Sequence, residues 1–326
     1  MIETEALRKT FETRQGRAVK TVEAVRGVDL HVREGEIFGF LGPNGAGKTT
    51  TLRMLATLIT PDAGRASIAG ADLLREPGEV RRRIGYVSQG GGTWDEVTAR
   101  EELVLQARLY GLSKAEAHAR AAAALAAFDL SEYADRKCKT YSGGQRRRVD
   151  IALGVIHAPK VLFLDEPTTG LDPQSRVRMW DEIRRLRNEG MTVFITTHYL
   201  EEADALCDRI AIIDHGEIVA EGTPMALKRE ISGDVVSVTL ASSPELDEAE
   251  SRIRAAADVL RSLHYVRKLE LQDAGIRLFV ESGATAIPHI ARALDQAGIA
   301  LDSIEVHRPS LDDVFLAKTG RSLRES

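Results

Sequence analysis

The sequence predicts an α/β fold followed by a smaller α+β domain, and three features carry that prediction. Short apolar runs, EIFGFLG (36–42), VLFLD (161–165) and TVFITTH (192–198), alternate with longer segments of helical periodicity. A glycine-rich loop joins the first of these runs to a helical segment, TTLRMLATL. Near residue 228 the rhythm changes, and strands and helices are then expected in the order β-α-β-β-α-β.

Length and β-branching favour strand over buried helix for each of the three runs. Residues 96–130 are expected to be helical, because AEAHARAAAALAAF is built from strong helix formers. Beyond residue 228, DVVSVTL (234–240) is expected as a strand and SPELDEAESRIRAAADVLRSL (243–263) as a helix. VRKLEL and IRLFVE suit a hairpin about Asp273, Ala274 and Gly275. A helix at AIPHIARALDQAG (286–298), a strand at SIEVHR (303–308) and a short helix in SLDDVFLAKTG complete a ferredoxin-like order. The expected domains are therefore 1–228 and 229–326. The second shows no metal-ligand spacing, glycine-rich loop or nucleophile with a base, so it is expected to be a structural or interaction module.

Composition narrows the class. The 326 residues are 43% hydrophobic and 29% charged with ten prolines, which suits a folded protein rather than a disordered one. With 44 basic against 49 acidic residues, net −5, there is no electrostatic case for binding nucleic acid. Cys138 and Cys207, the only cysteines, are far apart, so neither a disulfide framework nor a zinc knuckle is expected and a reducing cytosol fits. The N-terminal segment lacks the apolar stretch of a secretory signal, and no apolar run approaches the ~18 residues of a membrane span. A soluble chain is expected.

Three segments carry chemistry. GPNGAGKT, from Gly42 to Thr49, fits G-x-x-x-x-G-K-[ST] between a strand and a helix. Its glycines let backbone N–H groups converge on an anion, and the helix N-terminus adds positive dipole. Lys48 suits the β- and γ-phosphates, and the Thr49 hydroxyl suits Mg²⁺. Asp165 and Glu166 end an apolar strand, the edge at which open α/β sheets bind ligands. Such carboxylates could hold a metal and polarise a water, or could form only a solvated turn. YSGGQRRRVDIA (141–152) offers a second glycine-rich opening to a helix, a puzzle in a chain that needs one phosphate cradle.

These motifs together resemble the ATP-binding-cassette (ABC) ATPases, whose ordered motifs all fall within residues 1–225. The resemblance implies the P-loop ABC-ATPase fold: a RecA-like core, an antiparallel β subdomain and a helical subdomain at about 90–160. It implies ATP and Mg²⁺ as cofactors. Gly42, Pro43, Asn44, Gly45, Ala46, Gly47, Lys48, Thr49 and Thr50 would cradle the phosphates, and Phe11 would stack on adenine. Thr49, Gln89 and Asp165 would attend the metal, with Gln89 also sensing the attacking water and the transport partner. Glu166 would act as general base and His198 would contact the γ-phosphate. Ser142, Gly143, Gly144 and Gln145 would serve the ATP of a second ATPase subunit, a homodimer partner, across two sandwiched nucleotides. The loop Thr169, Gly170, Leu171, Asp172 would bridge the two sites.

One departure is visible. Tyr141 opens the signature where many members have Leu, while Ser142 and both glycines remain. YSGGQRRRVDIA, TTHYLEEADALCDRIAIIDHGEIVAEGTP (196–224) and SLDDVFLAKTG are similar to the daunorubicin-resistance type of ABC-2 exporter ATPase, over nearly the whole chain. That resemblance implies efflux of a drug, lipid or other hydrophobic or polymeric substrate through a separate transmembrane permease subunit. The chain would lie on the cytoplasmic face of the cell membrane. A soluble ABC ATPase acting on DNA or ribosomes is the alternative, but such members usually carry a coiled-coil insertion or a second cassette, and neither is present. A regulatory scaffold is a further alternative, opposed by the complete hydrolytic set.

Overall fold

The structure, a computed structural model, describes residues 1–15, 18–231, 234–240, 246–272, 275–307 and 309–320. Two compact units divide the chain, Met1–Pro224 and Met225–Ser322. Residue 228 falls inside a single helix, Pro224–Ile231, whose proline stands at its first position.

The first unit is built on a six-stranded sheet. From edge to edge it runs Glu217–Gly222, Arg209–Asp214, Ile37–Leu41, Thr192–Thr197, Val161–Asp165 and Ile84–Val87. All neighbours are parallel except the first pair. Strands Ile37–Leu41, Val161–Asp165 and Thr192–Thr197 are buried at every residue, which is why they read as unbroken apolar runs rather than alternating ones. Phe194 fixes their stacking, its ring 5.6 Å from Phe38 and 5.7 Å from Phe40 and Phe163.

The strand register sets where the loops emerge. Leu41 pairs with Thr197, and Asp165 pairs with Thr196. The three strands therefore end level, and the loops beginning at Gly42, Glu166 and His198 leave the sheet side by side.

A second, antiparallel sheet of four strands has the order Ala18–Val32, Ile2–Gln15, Ala63–Ile68, Ala71–Asp72. Helices Ala99–Leu109, Lys114–Ala127 and Gly143–Val155 fill the helical region. Each opens with a capping box, at Thr98/Glu101, Ser113/Glu116 and Ser142/Gln145. Among the described residues no helix is long and apolar enough to cross a membrane.

In the second unit an antiparallel sheet runs Val266–Gln272, Gly275–Val280, Asp234–Leu240, Leu301–His307. Helices Leu246–Arg261 and Gly283–Gln296 join it around a core of Val236, Val238, Leu260, Leu278, Ile290 and Leu294. The second helix begins three residues ahead of the expected 286 and carries Pro288 inside it, where the ring leaves one i→i−4 hydrogen bond unmade. Of the expected elements, residues 243–245 of the first helix, Asp273 and Ala274 of the hairpin, and residue 308 lie outside the described residues.

Candidate functional site

The phosphate loop is shaped by contacts that only glycine permits. A Cβ at Gly42 would lie 2.3 Å from the carbonyl oxygen of Ile213. At Gly47, where φ is +108°, it would lie 2.4 Å from that of Ala24. The loop delivers the chain into helix Lys48–Leu55, which has neither a side-chain cap nor an acidic residue in its first turn. No acidic side chain of the helix's own first turn thus competes for its N-terminal N–H groups.

Lys48 is the charge at that terminus. Only 4% exposed, it donates from Nζ to the carbonyls of Gly42 at 2.7 Å and Pro43 at 2.9 Å. Burial pushes its pKa down, and the carboxylates of Glu166 and Asp165 oppose that shift. Within the loop, Ala46 is buried and its N–H donates to Pro43 O at 3.2 Å, while Asn44 and Gly45 are exposed.

Asp165 is 2% exposed at the end of its strand. Its Oδ1 accepts from the Thr196 hydroxyl at 2.6 Å and the Thr49 hydroxyl at 3.1 Å. Glu166 follows with a positive φ of 46°, a backbone region that non-glycine residues occupy at a cost. Its N–H is held by the carbonyl and hydroxyl of Thr196, each at 3.1 Å.

The Glu166 carboxylate is the meeting point of the cluster. Oε1 lies 3.6 Å from Lys48 Nζ. Oε2 accepts from Gln89 Nε2 at 3.0 Å and Thr169 Oγ1 at 3.2 Å. His198 Nδ1 stands 3.1 Å from the same oxygen, without the alignment of a hydrogen bond. Burial works to raise the pKa of Glu166, but the proximity of His198 and Lys48, with the Thr169 hydroxyl, outweighs it and holds the carboxyl below its ordinary range. The group is thus ionised near neutrality and available to take a proton.

Other residues singled out from sequence stand apart from this cluster. Ser142 caps helix Gly143–Val155, its hydroxyl accepting from Gln145 N at 3.3 Å while Gln145 Oε1 accepts from Ser142 N at 2.9 Å. Gly144 packs where a Cβ would come 2.9 Å from Ser175 Oγ. Among the described residues no hydrogen bond links Ser142, Gly143, Gly144 or Gln145 to Lys48 or Glu166. Phe11 lies on strand Ile2–Gln15, its half-exposed ring under the Lys9 ammonium at 5.6 Å. Tyr141 is buried, and its hydroxyl donates to the carbonyl of Tyr133, a bond that leucine cannot make. Asp172 caps helix Pro173–Asn188, its Oδ1 accepting from Ser175 N at 2.9 Å.

Sequence reasoning missed three residues that build the cluster. Thr196 reads as an ordinary β-former in TVFITT, yet its hydroxyl ties Asp165 to the backbone of Glu166. Arg147 lies in the basic helical stretch RRR, where the sequence does not single it out, and it is buried. Asp150 reads as a helix acid and accepts from Gly92 N, Thr93 N and Thr93 Oγ1 at 2.9, 3.1 and 2.6 Å.

The donor set fits Mg²⁺. Asp165 and Thr49 offer hard oxygen ligands already joined by a hydrogen bond, and Gln89 reaches the adjacent carboxylate. Among the described residues no group of three or more His, Cys, Asp or Glu could hold a metal alone.

The fold and this cluster define a nucleotide-hydrolysing cassette, and comparison with known proteins agrees. The ABC transporter family profile matches residues 25–169, and the profile of the ATP-binding protein DrrA1-3-like C-terminal domain matches residues 222–319. Daunorubicin resistance ATP-binding protein DrrA2 of Streptomyces coeruleorubidus is 44% identical over 91% of this chain and 90% of its own length. Linearmycin resistance ATP-binding protein LnrL of Bacillus subtilis is 35% identical over 100% of both chains. Nod factor export ATP-binding protein I of Burkholderia thailandensis is 39% identical over 92% of this chain and 93% of its own. A solved ATP-binding cassette, a dimer in a post-hydrolysis state with ADP and Pi, superposes with a TM-score of 0.62 at 28% identity, covering 68% of this chain and 98% of its own.

The chain belongs to the ABC transporter ATP-binding family and is an ABC ATPase. Within that family it is an exporter-type ATP-binding subunit with a DrrA-like C-terminal domain.

Proposed function

We propose that two copies of this chain close head to tail over two Mg·ATP and drive export through a separate transmembrane subunit. The observation that carries the reading is the Glu166 carboxylate, gathered with Lys48, Gln89 and His198 beside the Thr49–Asp165 pair.

Glu166 accepts a proton from a water as that water's oxygen bonds to the γ-phosphorus. The bond from that phosphorus to the β-γ bridging oxygen then breaks, giving ADP and inorganic phosphate. Lys48 and His198 face the charge that spreads over the γ-oxygens, and Gln89 orients the water. Asp165, Thr49 and Gln89 would hold Mg²⁺, whose charge, when bound, neutralises the phosphate oxygens. Phe11 is assigned to the adenine, and Ser142, Gly143, Gly144 and Gln145 to the partner copy's ATP. ATP binding favours the closed pair because each nucleotide touches both copies only there, and loss of the γ-phosphate releases it.

The membrane subunit is assigned to the face beside Gln89. A cavity of about 380 Å³ there is lined by Ser88 and Gly92, on either side of Gln89, and by the exposed side chains of Leu58 and Tyr110. The chain would then work on the cytoplasmic face of the membrane. Relatives named for daunorubicin resistance, linearmycin resistance and Nod factor export support export of a drug, lipid or other hydrophobic or polymeric substrate. Residues 229–326 are assigned an accessory role in that assembly.

Affinity isolation of the full chain from its native cells tests this. Recovery with an integral membrane protein and Mg²⁺-dependent ATPase activity is expected. Recovery with ribosomes or DNA instead would contradict it.

A further inference from the structure

Helix Gly143–Val155 opens at the signature loop, and one turn in, Arg147 points inward. Only 6% of it is exposed. Nη1 donates to the carbonyl of Ser88 at 2.7 Å, Nη2 to that of Asp165 at 3.1 Å, and Nε to that of Pro167 at 2.8 Å.

Each acceptor neighbours a residue of the hydrolytic cluster. Ser88 precedes Gln89. Asp165 and Pro167 flank Glu166, whose φ of 46° persists only if the surrounding structure imposes it. On the same helix face, Asp150 takes the N–H groups of Gly92 and Thr93, and Arg146 Nη2 donates to Thr93 O at 2.9 Å. One helix therefore grips both ends of the segment Ser88–Thr93 and both sides of Glu166.

A guanidinium is an expensive group to bury for packing alone, since an apolar side chain would fill the same space without desolvation. Here its planar fork meets three carbonyls that belong to two separate loops. Lysine offers a point charge without that fork, and glutamine offers a neutral amide.

We propose that Arg147 is a positioning residue for ATP hydrolysis, setting the backbone on both sides of Glu166 and the approach of Gln89 from the signature helix. This rests on the reading of Glu166 as the base and of Ser142–Gln145 as the loop that meets the partner's nucleotide. On that reading, Arg147 ties engagement of the partner's ATP to the hydrolytic cluster of its own chain.

The test compares the full-length wild type with Arg147→Lys and Arg147→Gln, measuring kcat and the affinity for Mg·ATP separately. Loss of charge-assisted hydrogen bonds at the cluster is expected to lower kcat by about 10- to 100-fold. Mg·ATP affinity is expected to stay within about twofold of wild type, since no phosphate-loop contact involves Arg147. A kcat close to wild type in both variants overturns the proposal. So does a joint loss of kcat and affinity, or failure of both variants to fold, because Arg147 would then support the fold as a whole. Glu166→Gln is measured in parallel: if it turns over normally, the base assignment fails whatever Arg147 does.

Discussion

The Thr49 hydroxyl donates to Asp165 Oδ1 at 3.1 Å across 116 positions of sequence. One residue is the second of the helix behind the phosphate loop, and the other ends the strand two positions from Ile37–Leu41 in the sheet. Their oxygens form a hard-ligand pair at the site where Mg²⁺ is proposed. Asp165→Asn keeps the shape and the Thr196 contact but removes the charge. The Mg²⁺ concentration for half-maximal ATPase activity should rise by about 10- to 100-fold, read from a Mg²⁺ titration at saturating ATP.

Glu166 gives a pH prediction with a definite sign. Burial alone would raise its pKa, but His198, Lys48 and Thr169 hold the carboxyl below its ordinary value. Its base form therefore persists as pH falls, and the acid limb of the wild-type kcat profile should lie below the usual glutamate range. His198→Ala removes one stabiliser of the carboxylate. Protonation then occurs at higher pH, so the acid limb of the residual activity should move upward. A downward shift would contradict the arrangement.

Gly47 tests the phosphate cradle. Its φ of +108° and the 2.4 Å approach of a Cβ to Ala24 O leave no room for alanine without moving the loop. Gly47→Ala should lower stability by about 1–3 kcal/mol, seen by chemical unfolding, and should abolish nucleotide binding seen by calorimetry.

The second unit has its own core, with Ile290 and Leu294 fully buried against Val236 and Leu278. Ile290→Ala should destabilise that unit by about 2–5 kcal/mol while Mg·ATP affinity of the first unit is unchanged. Differential scanning calorimetry beside an ATP titration distinguishes this from global loss.

Sequence made local chemistry legible and left tertiary chemistry hidden. GPNGAGKT announces its function because one short loop and the helix after it carry all its chemistry. The paired carboxylates and His198 could be placed because they follow buried apolar strands, and the level ends of those strands bring them together. Thr196, Arg147 and Asp150 were missed because their roles depend on partners 31, 59 and 58 positions away respectively, which no periodicity reports. Strands Ile2–Gln15 and Ala18–Val32 also escaped, since their mixed polar sequence lacks the unbroken apolar runs of the central sheet.

The most direct measurement concerns Glu166 itself. Purified full-length Glu166→Gln should bind Mg·ATP and accumulate as an ATP-bound dimer in size-exclusion chromatography. Its phosphate release in a single-turnover assay should fall by about 100-fold or more, the share that a positioned base supplies. Phosphate release at the wild-type rate would contradict the account at its centre.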